Sequence, residues 1–176
     1  TAMTEASHVG DLVTRLALSH PEVSFRFINN GQVKLHTSGN GNLKDVIYHI
    51  YGREIASNLI EVDFERKGIH ITGYLGKPLI SRGNRNFENY FVDGRYIKSS
   101  IISKAIEDGY KDFTMQHKYP FVVLYLDVDT EHVDVNVHPT KMDVRFNNQQ
   151  EIYNTLFAAV DDGLHERELI PEVTLD

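Results

Sequence analysis

The chain of 176 residues has neither cysteine nor tryptophan. Without cysteine there are no disulfides, no thiolate metal sites and no cysteine nucleophile, which is compatible with a reducing cytosol. No apolar run approaches the roughly 18 residues of a membrane span, and no charged-then-apolar targeting stretch opens the chain. Positive charge is also short: 18 Lys and Arg against 25 Asp and Glu leave a net charge of −7. A dedicated nucleic-acid binder normally shows a basic balance, so any such contact must come from a local patch. None of the nine histidines falls in a zinc-protease helix pattern or in spaced pairs. The glycines of Ser38-Gly39-Asn40-Gly41-Asn42 lack both the Lys-Ser ending of a P-loop and the three-glycine dinucleotide fingerprint.

What is present is periodicity. Val9, Leu12, Val13, Leu16 and Ala17 recur at helical spacing until His20-Pro21 ends the run. A second helix follows Asn42, a third follows Ser99 and Ser100, and a fourth begins near Gln149 with Ile152, Tyr153, Leu156, Phe157, Val160 and Leu164. Asn30-Gly31, Lys67-Gly68 and Asp93-Gly94 sit between alternating runs, where hairpin turns need two residues of positive φ. Phe121 to Leu126 is apolar throughout, as a central strand covered on both faces would be. The pattern predicts an α+β sandwich, with helices layered on a mixed, mostly antiparallel sheet.

Three features invite chemistry. Asp127, Asp129 and Asp134, with His132 and His138 nearby, could ligate a hard cation; a solvated strand end is the plainer reading, and no metal is assigned. Lys77, Arg82, Arg85, Arg95, Lys98 and Lys104 fall in a stretch whose acids are Glu88 and Asp93. On one face they form a phosphate-contacting patch; otherwise they are ordinary surface charge. In Val133-Asp134-Val135-Asn136-Val137-His138-Pro139-Thr140-Lys141, a strand is stopped by proline and followed by one lysine. Lys141 is either a solubilising loop residue or a point charge held out toward an anion.

The run from Asp134 to Lys141, continuing through Val144-Arg145-Phe146, resembles the signature of the MutL family of DNA mismatch repair proteins. So do Arg85-Asn86 with Phe91-Val92-Asp93-Gly94-Arg95-Tyr96-Ile97, and Leu16-Ala17-Leu18-Ser19-His20-Pro21 with Phe25, Asn30 and Gly31. The likeness spans nearly the whole chain and is nearest to Gram-positive members. It implies a ribosomal protein S5 domain 2-like fold with helices on one face and a left-handed βαβ crossover. It implies a helix over 1–20 belonging to or linking from a GHKL-type ATPase domain, a transducer domain over 21–168 and a loose tail over 169–176. Lys141 would then contact the ATP γ-phosphate, with Asn136, His138, Pro139 and Thr140 positioning its loop.

Arg82, Arg85, Arg95, Lys98 and Lys104 are the corresponding DNA-contact candidates, Ser100 standing where some members carry an arginine. By the same likeness the fragment is not catalytic and holds no cofactor, while its parent is an ATPase using ATP and magnesium. Implied partners are the parent's own ATPase domain, DNA, a MutS-type mismatch recognition protein and a second copy of the full-length protein, in a cytoplasmic, nucleoid-associated setting without a membrane. The alternative is the transducer domain of a gyrase B-like topoisomerase subunit, whose loop ends in Gln-Thr-Lys where this chain has His-Pro-Thr-Lys.

Overall fold

A computed structural model describes residues 1–129 and 146–169, with side chains as far as Glu166. The chain divides into two compact units, Thr1–Asn58 and Leu59–Asp176. The first of these holds the opening helix together with the first hairpin and its following helices.

The first unit comprises α1 (Ala2–Ser19), the antiparallel pair β1 (Arg26–Asn29) and β2 (Gln32–His36), α2 (Leu43–Tyr51) and the short α3 (Arg53–Ala56). Asn30 and Gly31 both take positive φ at the turn, the geometry that two-residue hairpins require. Asn42 caps α2 by accepting from the Asp45 N–H, and Gly52 closes its end. On α1 the expected apolar face stays open: Val9, Leu12 and Leu16 are exposed while Ala17 and Leu18 are buried.

The described residues of the second unit form a five-stranded sheet in the order β3-β4-β7-β5-β6, with two helices. Its elements are β3 (Leu59–Arg66), β4 (Ile69–Gly76), a 3-10 turn at Pro78–Ile80, β5 (Glu88–Val92), β6 (Arg95–Tyr96), α4 (Ser100–Tyr110), β7 (Val122–Val128) and α5 (Gln149–Leu169). Turns at Lys67-Gly68 and Asp93-Gly94 again carry two positive φ values each. β7 is the central strand, antiparallel to β4 and parallel to β5. Parallel pairing needs a crossover, and β6, α4 and the following loop supply it.

Alternation sends Ile69, Ile71 and Leu75 of β4, Tyr90 and Val92 of β5, and Val122, Leu124 and Leu126 of β7 into one cluster. Ile102, Ala105, Ile106 and Tyr110 of α4 and Ile152, Leu156, Val160 and Leu164 of α5 complete it. Gly73 in β4 has φ +120°, and a Cβ there would run into the Val123 carbonyl of β7, so the central ladder demands glycine. Ser99 caps α4 by accepting from the Ile102 N–H. The Tyr90 hydroxyl lies within hydrogen-bond distance of Ser99 (N 2.9 Å, O 3.0 Å) and Ser103 (2.8 Å), pinning that cap to the sheet. Among the described residues no helix is long and apolar enough to cross a membrane.

Candidate functional site

The basic candidates are set by the ends of β5 and α4. Residues 81–87 approach β5 alongside the approach to β7, and Arg82 and Tyr119 exchange backbone hydrogen bonds of 2.7 and 2.8 Å. This bridge brings two rings under two arginines. The Arg82 guanidinium lies 4.7 Å from the Phe87 ring centre, and that of Arg85 lies 4.6 Å from the Tyr119 ring centre. Stacking limits rotamer freedom, so both guanidinium planes are held before any ligand arrives. Phe87 in turn leans on buried Phe121, with ring centres 6.4 Å apart.

Acids on α4 meet two of these cations. Arg85 Nε donates to both Glu107 oxygens, at 2.9 and 3.2 Å. Lys104 Nζ reaches Asp108 at 2.7 Å and stands 5.7 Å from the Tyr153 ring centre. Tyr153 donates to the same Asp108 carboxylate at 2.5 Å, which ties α5 to α4. The Asp108 carboxyl is held below its usual range, first by Lys104 and then by Tyr153. Arg85 and Lys104 are thus each tied to an acid of the last turn of α4, while Arg82 rests on Phe87. Arg95 and Lys98 are exposed and sit before its start. From the Ser99 cap to Glu107 is about 12 Å of helix.

Beneath Arg85 is a residue that composition and motif do not single out. Glu88 opens β5 and is only 8% exposed. Both of its side-chain oxygens are buried without a hydrogen-bond partner. Burial first, and then the Glu107 carboxylate, push its pKa up to about 8, while Arg85 pulls the other way. A protonated Glu88 can donate to Glu107, whereas two ionised carboxylates there would repel. The signal was present in the strand phase: Glu88 shares its face with Tyr90 and Val92, both core residues. Glu107 and Tyr119, by contrast, reach the site only through tertiary packing.

Other sequence candidates fare differently. Asp127 and Asp129 are exposed at the end of β7, the Asp129 N–H donating to the Gly68 carbonyl. Among the described residues no group of three His, Asp or Glu side chains could hold a metal ion. The Ser38–Asn42 loop directs Ser38 and Asn40 onto Asp45, and a Cβ at Gly39 would strike the Ser24 backbone. Its glycines serve the chain's own packing and make no phosphate cradle. Asp134, His132, Asn136, His138, Pro139, Thr140 and Lys141 lie outside the described residues. The flanks of that segment are placed: Val128 and Phe146 both belong to the hydrophobic cluster.

Comparison with known proteins gives these features a family. The model for the DNA mismatch repair protein, C-terminal domain, matches residues 47–165. The DNA mismatch repair protein MutL of Agathobacter rectalis is 59% identical over all of this chain, which spans 27% of that protein. MutL of Clostridium botulinum (strain Eklund 17B) is 43% identical over 94% of the chain, spanning 25% of that protein. This chain thus covers about a quarter of the length of these curated relatives. Among solved structures, the N-terminal domain of a DNA repair protein aligns over 90% of this chain and 53% of its own, with TM-score 0.75 and 21% identity. The ATPase domain of Aquifex aeolicus MutL aligns over 91% and 53%, with TM-score 0.60 and 20% identity. These two share the fold, an α+β architecture consistent with the ribosomal protein S5 domain 2-like class. With a family model covering most of its length, the chain belongs to the MutL family of DNA mismatch repair proteins.

Proposed function

We propose that this chain is the transducer module of a MutL-type ATPase. It supplies Lys141 to the γ-phosphate of ATP held by the adjacent ATPase domain. By that contact it couples nucleotide state to DNA, to dimerisation and to a MutS-type partner. One observation carries this reading: the Asp134–Lys141 run falls inside the matched region, on a segment whose flanks, Val128 and Phe146, are both buried in one core. Both flanks of that segment are thus anchored in the core of the matched domain. The glycine loop of this chain is occupied by its own contacts, so ATP and its magnesium belong to the ATPase domain of the parent. There magnesium would offset charge on the phosphates, and Lys141 would add one more cation.

A lysine–phosphate hydrogen bond is worth about 1.5–3 kcal/mol, or about ten- to a hundredfold in rate. Lys141→Ala in the full-length protein should slow ATP turnover by that factor and leave the thermal unfolding of this domain unchanged. Turnover equal to wild type would remove the role assigned to Lys141. Arg82, Arg85, Arg95, Lys98 and Lys104 are the side chains proposed to contact DNA phosphates. Arg85 and Lys104 are each held by an acid of α4 and must leave it to do so.

A further inference from the structure

We propose that Arg85 reaches a DNA phosphate only by leaving Glu107, and that Glu88 takes up the proton which that release demands. The inference rests on the DNA-contact reading above and deepens it, naming Glu107 and Glu88 as positioning residues for one cation.

Arg85 gives its Nε–H to both Glu107 oxygens, and its side chain is 63% exposed. It can therefore swing out, but it is not free while it stays. Glu107 is 21% exposed and faces Glu88, whose carboxyl oxygens are sealed from solvent without a donor. Among the described residues, the charged and titratable groups facing Glu88 are Glu107 and Tyr110 on α4, Tyr90 on its own strand, and Arg85. Its β7 neighbour is Val122, which carries no charge. Arg85 is thus the cation among these groups. Once it moves to a phosphate, two carboxyls in a half-dry site lose their counter-charge.

Such a pair cannot stay doubly ionised. A proton from solvent goes to a Glu88 oxygen, which becomes a donor to Glu107. Below about pH 7 Glu88 already holds that proton, and release costs little. Above about pH 8 the proton must be drawn from a scarcer supply, so binding through Arg85 weakens as pH rises.

The test is binding of a fluorescein-labelled DNA oligonucleotide to the chain at fixed ionic strength, from about pH 7 to about pH 9. Wild-type affinity should fall with pH, approaching about tenfold per unit where one proton is taken up. Glu88→Gln should bind with no such slope, Arg85→Ala should bind more weakly and also without slope, and Glu107→Gln should bind more tightly. A Glu88→Gln variant that keeps the wild-type slope, or a wild type without one, overturns the inference. If binding is independent of pH but weakened by Arg95→Ala and Lys98→Ala, the DNA reading stands and this inference falls. No binding even at low salt removes both. A second readout needs neither DNA nor a folded Glu88 variant. Carboxyl carbon NMR should show the Glu88 midpoint higher in Arg85→Ala than in wild type, and an unchanged midpoint counts against the proposal.

Discussion

The approach of α4 to α5 depends on one missing methyl group, and Gly109→Ala tests it. Gly109 lies in α4 against Val160 of α5, and a Cβ there would sit 2.6 Å from Val160 Cγ1 and 2.9 Å from its Cβ. In an exposed helix the same change stabilises by about 0.8–1 kcal/mol. Overpacking a tight core costs about 1–3 kcal/mol, so the clash at 2.6 Å should win and leave a net loss of up to about 2 kcal/mol. Val160→Ala alone removes two methyl groups from a fully buried side chain, a loss of about 2–3 kcal/mol once the cavity is included. The double variant then removes the closer of the two contacts, Val160 Cγ1, and leaves only its Cβ to give way to the methyl added at position 109. Its loss should fall short of the summed single losses by about 1 kcal/mol or more. Urea unfolding followed by circular dichroism, with m-values compared, measures each change. Additivity within about 0.5 kcal/mol, or a Gly109→Ala protein more stable than wild type, would refute the steric argument. The same contact sets the spacing at which Tyr153 meets Asp108, so a shifted α4 should also disturb Glu107 and Arg85.

Glu88 gives the fold itself a pH dependence. Its pKa is raised in the folded state from 4.5 to about 8, so the native chain binds a proton that the unfolded chain releases. Stability from this group is full below about pH 4.5, declines through the interval and levels off above about pH 8, for a total of about 5 kcal/mol at most. Glu88→Gln should flatten that decline and be the more stable protein at pH 8, as denaturant midpoints across pH would show; parallel curves would contradict the burial argument. For DNA, phosphate contacts through four of Arg82, Arg85, Arg95, Lys98 and Lys104 predict a log–log salt slope of about −3 to −4. A slope near zero, read by anisotropy at several salt concentrations, would mean that the patch does not touch phosphates.

Local chemistry was the legible part of the fold. Turn pairs such as Asn30-Gly31 and Asp93-Gly94 announce positive φ in their residue types, and Asn42 and Ser99 announce caps. The apolar run before Asp127 marks a strand covered on both faces, whereas β5, buried at every residue, hides its burial behind Glu88 and Asn89. The apolar stripe of α1 misled, since periodicity tells that one face is greasy but not what covers it: Val9, Leu12 and Leu16 are open. At the basic site the cations were readable, but their partners were not. Glu107 and Tyr119 lie 22 and 34 residues from Arg85 in sequence. They meet it only because the crossover folds back, and no local pattern encodes that return.

The crossover also fixes which ends of the strands the two proposed phosphate contacts start from. Because β5 and β7 run parallel, their approaches lie side by side, and the Arg82–Tyr119 bridge extends the sheet at that end. Their exits lie side by side at the other end, where Asp93 accepts from the Val128 N–H at 3.0 Å and donates its own N–H to Leu126. The stacked arginines occupy the first end. β7 ends at the second, about 20 Å away along its seven residues. Charges at the two ends of β7 are largely screened from each other at physiological salt, where the Debye length is about 8 Å. Any coupling that the proposed function needs between those ends therefore runs through movement of the sheet against α4. The groups that register such a movement are the close contacts of α4: Gly109 on Val160, Asp108 on Tyr153, and Glu107 between Glu88 and Arg85. A shift of a few tenths of an ångström there changes whether Arg85 is held or released, without a charge having to act across the domain.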